Sequence, residues 1–177
     1  MQNLMIDLET LGTDPSAPII EIGACFFDLH TGEISNTFNR TVRFESACEL
    51  RAPDASTIKW WMTQSDDARK KVASGKDEMF GVLFEFISWV DAHSSRSSTK
   101  PWGNGSTFDI SMLENCMKQY NIEIPWEFWN HRDVRTVLDI AGFDKSTIAF
   151  DGVPHSALDD AKHQVKYLSA AVRSIRG

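Results

Sequence analysis

Leu4-Met5-Ile6-Asp7-Leu8-Glu9 combines a short apolar run with two acids, and turn residues follow at Thr10 to Pro15. This stretch predicts a β-strand that opens the chain. Two further strand patterns lie at residues 19–29 and 34–44, separated by the turn His30-Thr31-Gly32-Glu33. Three consecutive strands joined by short turns predict an antiparallel meander.

Helical spacing of apolar residues dominates the rest of the chain. One more strand is predicted to end at Pro101-Trp102-Gly103. Helices are predicted from about residue 54 and over residues 77–93, 108–120, 133–141 and 158–175. Strands followed by mixed helices and strands predict an α/β fold, with a mixed β-sheet flanked by helices. Since neither a repeat nor a domain boundary is evident, we expect residues 1–177 to form one domain.

The composition excludes several classes of protein. Of 177 residues, 42% are hydrophobic and 24% charged, which is ordinary for a globular protein. The net charge of −7 argues against a protein that coats nucleic acid through bulk positive charge. No apolar run reaches the ~20 residues of a membrane span. The N-terminus lacks a signal-peptide pattern, and Cys25, Cys48 and Cys116 suit reduced thiols, so we expect a cytoplasmic protein.

Asp7 and Glu9 are the first candidate site residues. Side chains two residues apart in a strand point to the same face, so both carboxylates project together from an otherwise apolar strand. Paired acids of this kind bind divalent cations, and hard oxygen ligands suit magnesium or manganese. The alternative is a strand end whose acids are merely solvated.

Asp109, His155 and Asp160 complete the candidate set. Asp109 follows a glycine-containing turn and opens a helix, where an acid also serves as a cap. His155 precedes the last helix and is expected to be mobile and solvent-accessible, which suits a proton acceptor but also an ordinary surface histidine. Ser156 is the expected N-cap, and Asp159 lies at the capping-box position, so Asp160 is left without that structural role.

These segments resemble the three motifs of the DEDD superfamily of 3′→5′ exonucleases. The motifs are Ile6-Asp7-Leu8-Glu9-Thr10-Leu11-Gly12, Gly103-Asn104-Gly105-Ser106-Thr107-Phe108-Asp109 and His155-Ser156-Ala157-Leu158-Asp159-Asp160-Ala161. The histidine that opens the third motif is typical of the DEDDh branch. The resemblance implies a ribonuclease-H-like fold and covers residues 4–172. It is greatest to small single-domain phage and bacterial exoribonucleases or exodeoxyribonuclease VIII-like members.

The resemblance also implies a mechanism. Two divalent ions, magnesium or manganese, would be held by Asp7, Glu9, Asp109 and Asp160, with His155 as the general base. The expected substrate is the 3′ end of single-stranded nucleic acid, released as 5′-mononucleotides. Similar enzymes are often homodimers, and no membrane partner is expected.

Substrate contacts are expected from the turn after the first motif, at Thr10, Leu11 and Gly12, and from stacking on Phe108. The three tryptophans Trp60, Trp61 and Trp102 are interpreted as core residues or as substrate contacts, with the core favoured. A non-catalytic nucleic-acid-binding module is the main alternative, but such a module is expected to have lost one of the five catalytic residues. A ribonuclease-H-type endonuclease would explain the spacing of His155 and Asp160 less well. The pattern does not distinguish among RNA, DNA and short oligonucleotides as substrates.

Overall fold

A computed structural model describes residues 1–176. Its centre is a five-stranded sheet in the order β3-β2-β1-β4-β5. β1–β2 and β2–β3 are antiparallel, whereas β1–β4 and β4–β5 are parallel. The predicted α/β fold, with a mixed sheet that begins as an antiparallel meander, is confirmed. The strands are β1 (Asn3–Thr10), β2 (Ile19–Phe27), β3 (Ile34–Thr41), β4 (Lys100–Gly103) and β5 (Arg132–Asp133).

Helices cover both faces of this sheet. They are α1 (Phe44–Cys48), α2 (Ala55–Met62), α3 (Asp66–Ala73), α4 (Met79–His93), α5 (Asp109–Gln119), α6 (Val134–Ala141) and α7 (Ala157–Arg176). Short 3₁₀ turns lie at Phe128–Asn130 and Lys145–Thr147. Within residues 1–176, no helix is long and apolar enough to cross a membrane.

Two helices were not predicted from the sequence. β3 ends at Thr41, and Phe44 begins α1 instead of extending the strand. The spacing of apolar residues does not indicate α3, although local helix signals are present. Ser65 caps its N-terminus by accepting the N–H of Ala68. Acids in its first turn and lysines in its last turn also complement the helix dipole.

β1 places its alternate side chains into two separate cores. Leu4, Ile6 and Leu8 belong to the larger core, which also contains buried residues of α4 and α5. Met5, on the opposite face of β1, belongs to a second core with residues of α7. β2 is buried along its whole length, because helices pack on both of its faces. The apolar character of β2 therefore reflects its place inside the molecule.

Candidate active site

The first and second sequence motifs meet because β1 and β4 are parallel neighbours. Their carboxyl ends lie at one edge of the sheet, where β1 presents Asp7 and Glu9. The loop after β4 leads directly into α5, whose first residue is Asp109. The backbone N–H of Leu8 donates to Oδ1 of Asp109 over 3.2 Å. This bond ties the start of α5 to the strand that carries the other two acids.

The third motif reaches the same edge because a glycine in β2 lets α7 approach closely. Gly23 lies opposite Asp7 in the β1–β2 ladder. A Cβ atom at Gly23 would lie 2.1 Å from the carbonyl carbon of Ala157, so any larger residue would displace the start of α7. Two turns further along α7, Nε2 of Gln164 donates to Oδ1 of Asp7 over 2.6 Å. These contacts hold Asp160 beside the acids of β1.

Three predicted site residues form a compact group of possible ligands. Glu9, His155 and Asp160 each offer one ligand atom, and these atoms all lie within 4.8 Å of one another. His155 therefore lies among the candidate metal ligands. We call Asp7, Glu9, Asp109 and Asp160 the carboxylate cluster.

The carboxylate cluster is electrostatically unfavourable without a counter-charge. Burial, followed by repulsion from Asp160 and Glu21, raises the pKa of Glu9 to about 8. Burial raises the pKa of Asp109 to about 7, although backbone N–H donors oppose this shift. Burial and the neighbouring acids also raise the pKa of Asp7. Oxygen ligands that repel one another in a buried site fit a divalent cation, which would remove the repulsion.

His155 is half-buried, and two aromatic rings flank its imidazole. Its backbone has φ 62°, and its N–H donates to Oδ2 of Asp160 over 2.9 Å. The rings of Trp60 and Trp61 lie edge-on to the imidazole, with centroid distances of 4.9 and 6.3 Å. Both tryptophans belong to α2. The helix therefore fixes the imidazole next to Asp160.

The tryptophans divide between core and surface. Trp61 and Trp102 are buried, as the core interpretation predicts. Trp60 is 42% exposed, so the core interpretation is wrong for this residue. Helical spacing alone does not distinguish the two neighbours. Trp61 is fixed inward by its Nε1, which donates to the backbone oxygen of Thr10 over 2.9 Å.

A cavity of about 370 Å³ borders Glu9, and we call it the Trp60 cavity. Its walls include Thr10, Gly12 and Phe108, three of the residues predicted to contact substrate. The lining residues are Leu8, Glu9, Thr10, Gly12, Thr13, Ser56, Thr57, Trp60 and Phe108. Leu11 is the exception among the predicted contacts. It is 2% exposed and packs in the larger core with Leu8, because the strand register shifts between Glu9 and Thr10.

Sequence reasoning missed a buried ion pair behind Glu9. Glu21 lies opposite Glu9 in the β1–β2 ladder and is fully buried. Nζ of Lys71, on α3, lies 2.6 Å from Oε1 of Glu21 and also donates to the hydroxyl of Ser156. Glu21 is an acid within an otherwise apolar strand, which indicates a buried partner. Its partner, Lys71, lies on α3, a helix that was not predicted from the sequence.

The acid at the expected capping-box position has a different contact. Oδ2 of Asp159 accepts the backbone N–H of Val153 over 3.1 Å, rather than an N–H at the helix start. Ser156 does precede the first residue of α7, but its hydroxyl is engaged by Lys71. Asp159 therefore anchors the loop before His155, and Asp160 faces the site.

The family comparison places this mixed sheet, with acids and a histidine at its carboxyl edge, among the 3′-5′ exonucleases. A family model described as the 3′-5′ exoribonuclease Rv2179c-like domain matches residues 2–172. The chain therefore belongs to the Rv2179c-like family.

Comparisons with individual proteins agree with this assignment. The chain is 27% identical over 210 residues to an exodeoxyribonuclease of Enterobacteria phage T4, covering 100% of this chain and 92% of the relative. The nuclease domain of 3′hExo, a DEDDh family member bound to rAMP, has a TM-score of 0.63 at 20% identity, covering 97% of this chain and 91% of that chain. Exonuclease X in complex with 5′ overhanging duplex DNA has a TM-score of 0.64 at 16% identity, covering 99% and 94%. The ribonuclease-H-like fold implied by the motifs is thus confirmed.

Proposed function

We propose that the protein removes 5′-mononucleotides from the 3′ end of single-stranded nucleic acid, using the carboxylate cluster and His155. The observation that carries this proposal is the meeting of Glu9, His155 and Asp160, whose ligand atoms lie within 4.8 Å of one another beside the Trp60 cavity. We propose that residues 1–177 form one exonuclease domain. It would act in the cytoplasm, as a monomer or a homodimer.

We propose Asp7, Glu9, Asp109 and Asp160 as the ligands of two divalent cations, magnesium or manganese. The donor set fits, because carboxylate oxygens are the ligands that these hard ions prefer. When bound, the ions would acidify the attacking water and stabilise charge on the departing 3′-oxygen. Gln164 fixes the orientation of the Asp7 carboxylate through its 2.6 Å hydrogen bond.

His155 is proposed as the general base. Its imidazole is oriented by the rings of Trp60 and Trp61, and its backbone N–H is held by Asp160. A proton acceptor fixed in this way contributes typically 10²–10⁴-fold to a hydrolysis rate. Replacing His155 with alanine should therefore lower turnover by about two orders of magnitude or more.

The Trp60 cavity is the proposed site of the 3′-terminal nucleotide. Phe108 and Trp60 offer aromatic surfaces for a base, and stacking tolerates every base. Glu9 lies at the border of this cavity and of the ligand group. A base in the cavity would therefore bring its own phosphate to the carboxylate cluster.

The sugar of the substrate, ribose or deoxyribose, differs between the family description and the phage relative. The family model names an exoribonuclease, whereas the phage relative is an exodeoxyribonuclease. The test is digestion of matched 5′-labelled RNA and DNA strands with magnesium, with manganese and with chelator. The expected products are ladders that shorten from the 3′ end and 5′-mononucleotides, with no products in chelator. Early release of the labelled 5′-terminal nucleotide, or undiminished activity in chelator, would contradict the proposal.

A further inference from the structure

The carboxylate cluster lies between two cavities. Glu9 borders the Trp60 cavity, whereas Asp160 borders a second cavity of about 290 Å³ between α7 and the 3₁₀ turn at Lys145–Thr147. We call the second one the Lys145 cavity. Its polar lining includes Asn104, Lys145, Ser146, Asp160, His163 and Tyr167. If the terminal nucleotide occupies the Trp60 cavity, the strand continues past the cluster toward the Lys145 cavity.

The Lys145 cavity is rich in hydrogen-bond donors, whereas the cluster beside it consists of acceptors. Lys145 contributes an ammonium group, Ser146 a hydroxyl and Asn104 an amide. Nζ of Lys145 lies 5.9 Å from the centroid of the Tyr167 ring, which keeps the ammonium group beside the cavity. Such a set of donors suits an anion with several oxygen atoms, such as a phosphodiester.

Tyr167 lines the same cavity with a phenol, and the residue is 2% exposed. A phenol O–H can donate a hydrogen bond to a phosphate oxygen, which the neighbouring acids would repel.

Lys145 is also free to bind an anion. Among residues 1–176 it forms no ion pair, although eight such pairs are found there. Arg135 lies nearby, with Nε 3.4 Å from Oδ1 of Asn104. Lys145 also lines a further cavity, together with Arg135, Asp139 and Asp144, so its ammonium group lies where the two cavities meet.

We propose that the Lys145 cavity binds the phosphodiester immediately upstream of the scissile bond, with Lys145 as its principal ligand. This inference rests on the proposed exonuclease function. Phosphate oxygens are common to RNA and DNA, so the site serves either sugar. It would hold the strand in register after each cleavage, because every newly exposed end presents the same phosphate spacing.

The test compares two substrates on the same variants. One is a 5′-labelled single-stranded oligonucleotide, and the other is the p-nitrophenyl ester of thymidine 5′-monophosphate, which has no upstream phosphodiester. With Lys145→Ala, kcat/KM on the oligonucleotide should fall about tenfold, the size of one charge-assisted hydrogen bond. That fall should be at least about fivefold larger than the fall on the ester. Lys166→Ala, which removes an exposed α7 lysine paired with Asp151 over 3.4 Å, is the matched control.

A modified substrate locates the contact. The parent protein should cleave an oligonucleotide with an uncharged methylphosphonate at the upstream position more slowly than the natural strand. Lys145→Ala should cleave the two strands at similar rates, because the contact is already lost in this variant. Three outcomes would overturn this inference without affecting the proposed function. The first is that Lys145→Ala loses as much kcat/KM on the ester as on the oligonucleotide, and the second is that its loss is no larger than that of Lys166→Ala. The third is that the losses from Lys145→Ala and from the methylphosphonate are additive. If the parent protein hydrolyses neither substrate with magnesium or manganese, the proposed exonuclease function fails as well.

Discussion

Nζ of Lys71 lies 2.6 Å from Oε1 of Glu21, the residue opposite Glu9 in the β1–β2 ladder. The same ammonium group donates to the hydroxyl of Ser156, the neighbour of His155. One side chain on α3 thus neutralises the buried acid behind Glu9 and holds the segment that carries the histidine.

Replacing Lys71 with methionine should reduce both stability and turnover. Because Glu21 is fully buried, loss of its partner should lower the free energy of unfolding by about 3 kcal/mol. Turnover should fall because Ser156 and His155 lose an anchor. Lys71→Met/Glu21→Gln should regain much of the stability, since no buried charge is left unpaired. Lys70→Met, at an exposed site of the same helix, is the control for denaturant unfolding and turnover. If Lys71→Met is as stable as Lys70→Met, the ion pair does not stabilise the protein.

Trp60 should influence both substrate binding and turnover. Trp60→Leu removes a wall of the Trp60 cavity and the edge contact with His155. KM should rise about tenfold, as expected for loss of one stacking contact, and kcat should also fall. Trp60→Phe should restore most of kcat, because it keeps an aromatic ring beside the imidazole. Trp129→Leu, which replaces another exposed tryptophan, should resemble the parent. A kcat for Trp60→Leu equal to that of the parent would rule out an orienting role.

The metal-free protein should lose stability as the pH rises. The pKa of Glu9 is raised to about 8 and that of Asp109 to about 7, whereas unfolded carboxyl groups titrate near 4. Between these values the folded protein binds more protons than the unfolded chain, so the free energy of unfolding falls between about pH 4 and pH 8. Since about 1 kcal/mol shifts the Tm of such a domain by roughly 3 °C, a fall of several degrees is expected.

Thermal melts in chelator across that pH range measure this effect. Glu9→Gln should flatten the pH dependence, and Glu33→Gln, at an exposed site, should leave it unchanged. Magnesium should raise the Tm most at the alkaline end, where the carboxylates are ionised and bind cations best. A Tm that rises steadily with pH in chelator would show that these carboxyl groups are not the destabilising ones.

Asp159 and Asp160 should differ sharply although they are neighbours. Asp160→Asn should nearly abolish turnover without lowering the Tm, because it removes a charge from a crowded cluster while an amide oxygen can still accept the N–H of His155. Asp159→Asn should keep substantial turnover and cost at most about 1 kcal/mol, since its contact is the loop N–H of Val153. Inactive Asp159→Asn beside normal Asp160→Asn would show that the third motif is misplaced by one residue.

The sequence predicted the features that depend on local pattern. The meander and α7 follow from alternating and helical apolar spacing. The acids were found because three short motifs occur in order. Lys71 and the ring contacts of His155 were missed because they depend on how α2 and α3 pack against the loop before α7. Local spacing contains no information about such long-range contacts, and the burial of Leu11 in the larger core was not predicted for the same reason.

The hydrogen bond between Gln164 and Asp7 joins residues 157 positions apart in the chain. A nascent chain that has not yet released α7 from the ribosome lacks Asp160, His155 and the amide that orients Asp7. Such a fragment cannot assemble the site. The site therefore assembles only after α7 has left the ribosome, because His155, Asp160 and Gln164 lie at or just before this helix.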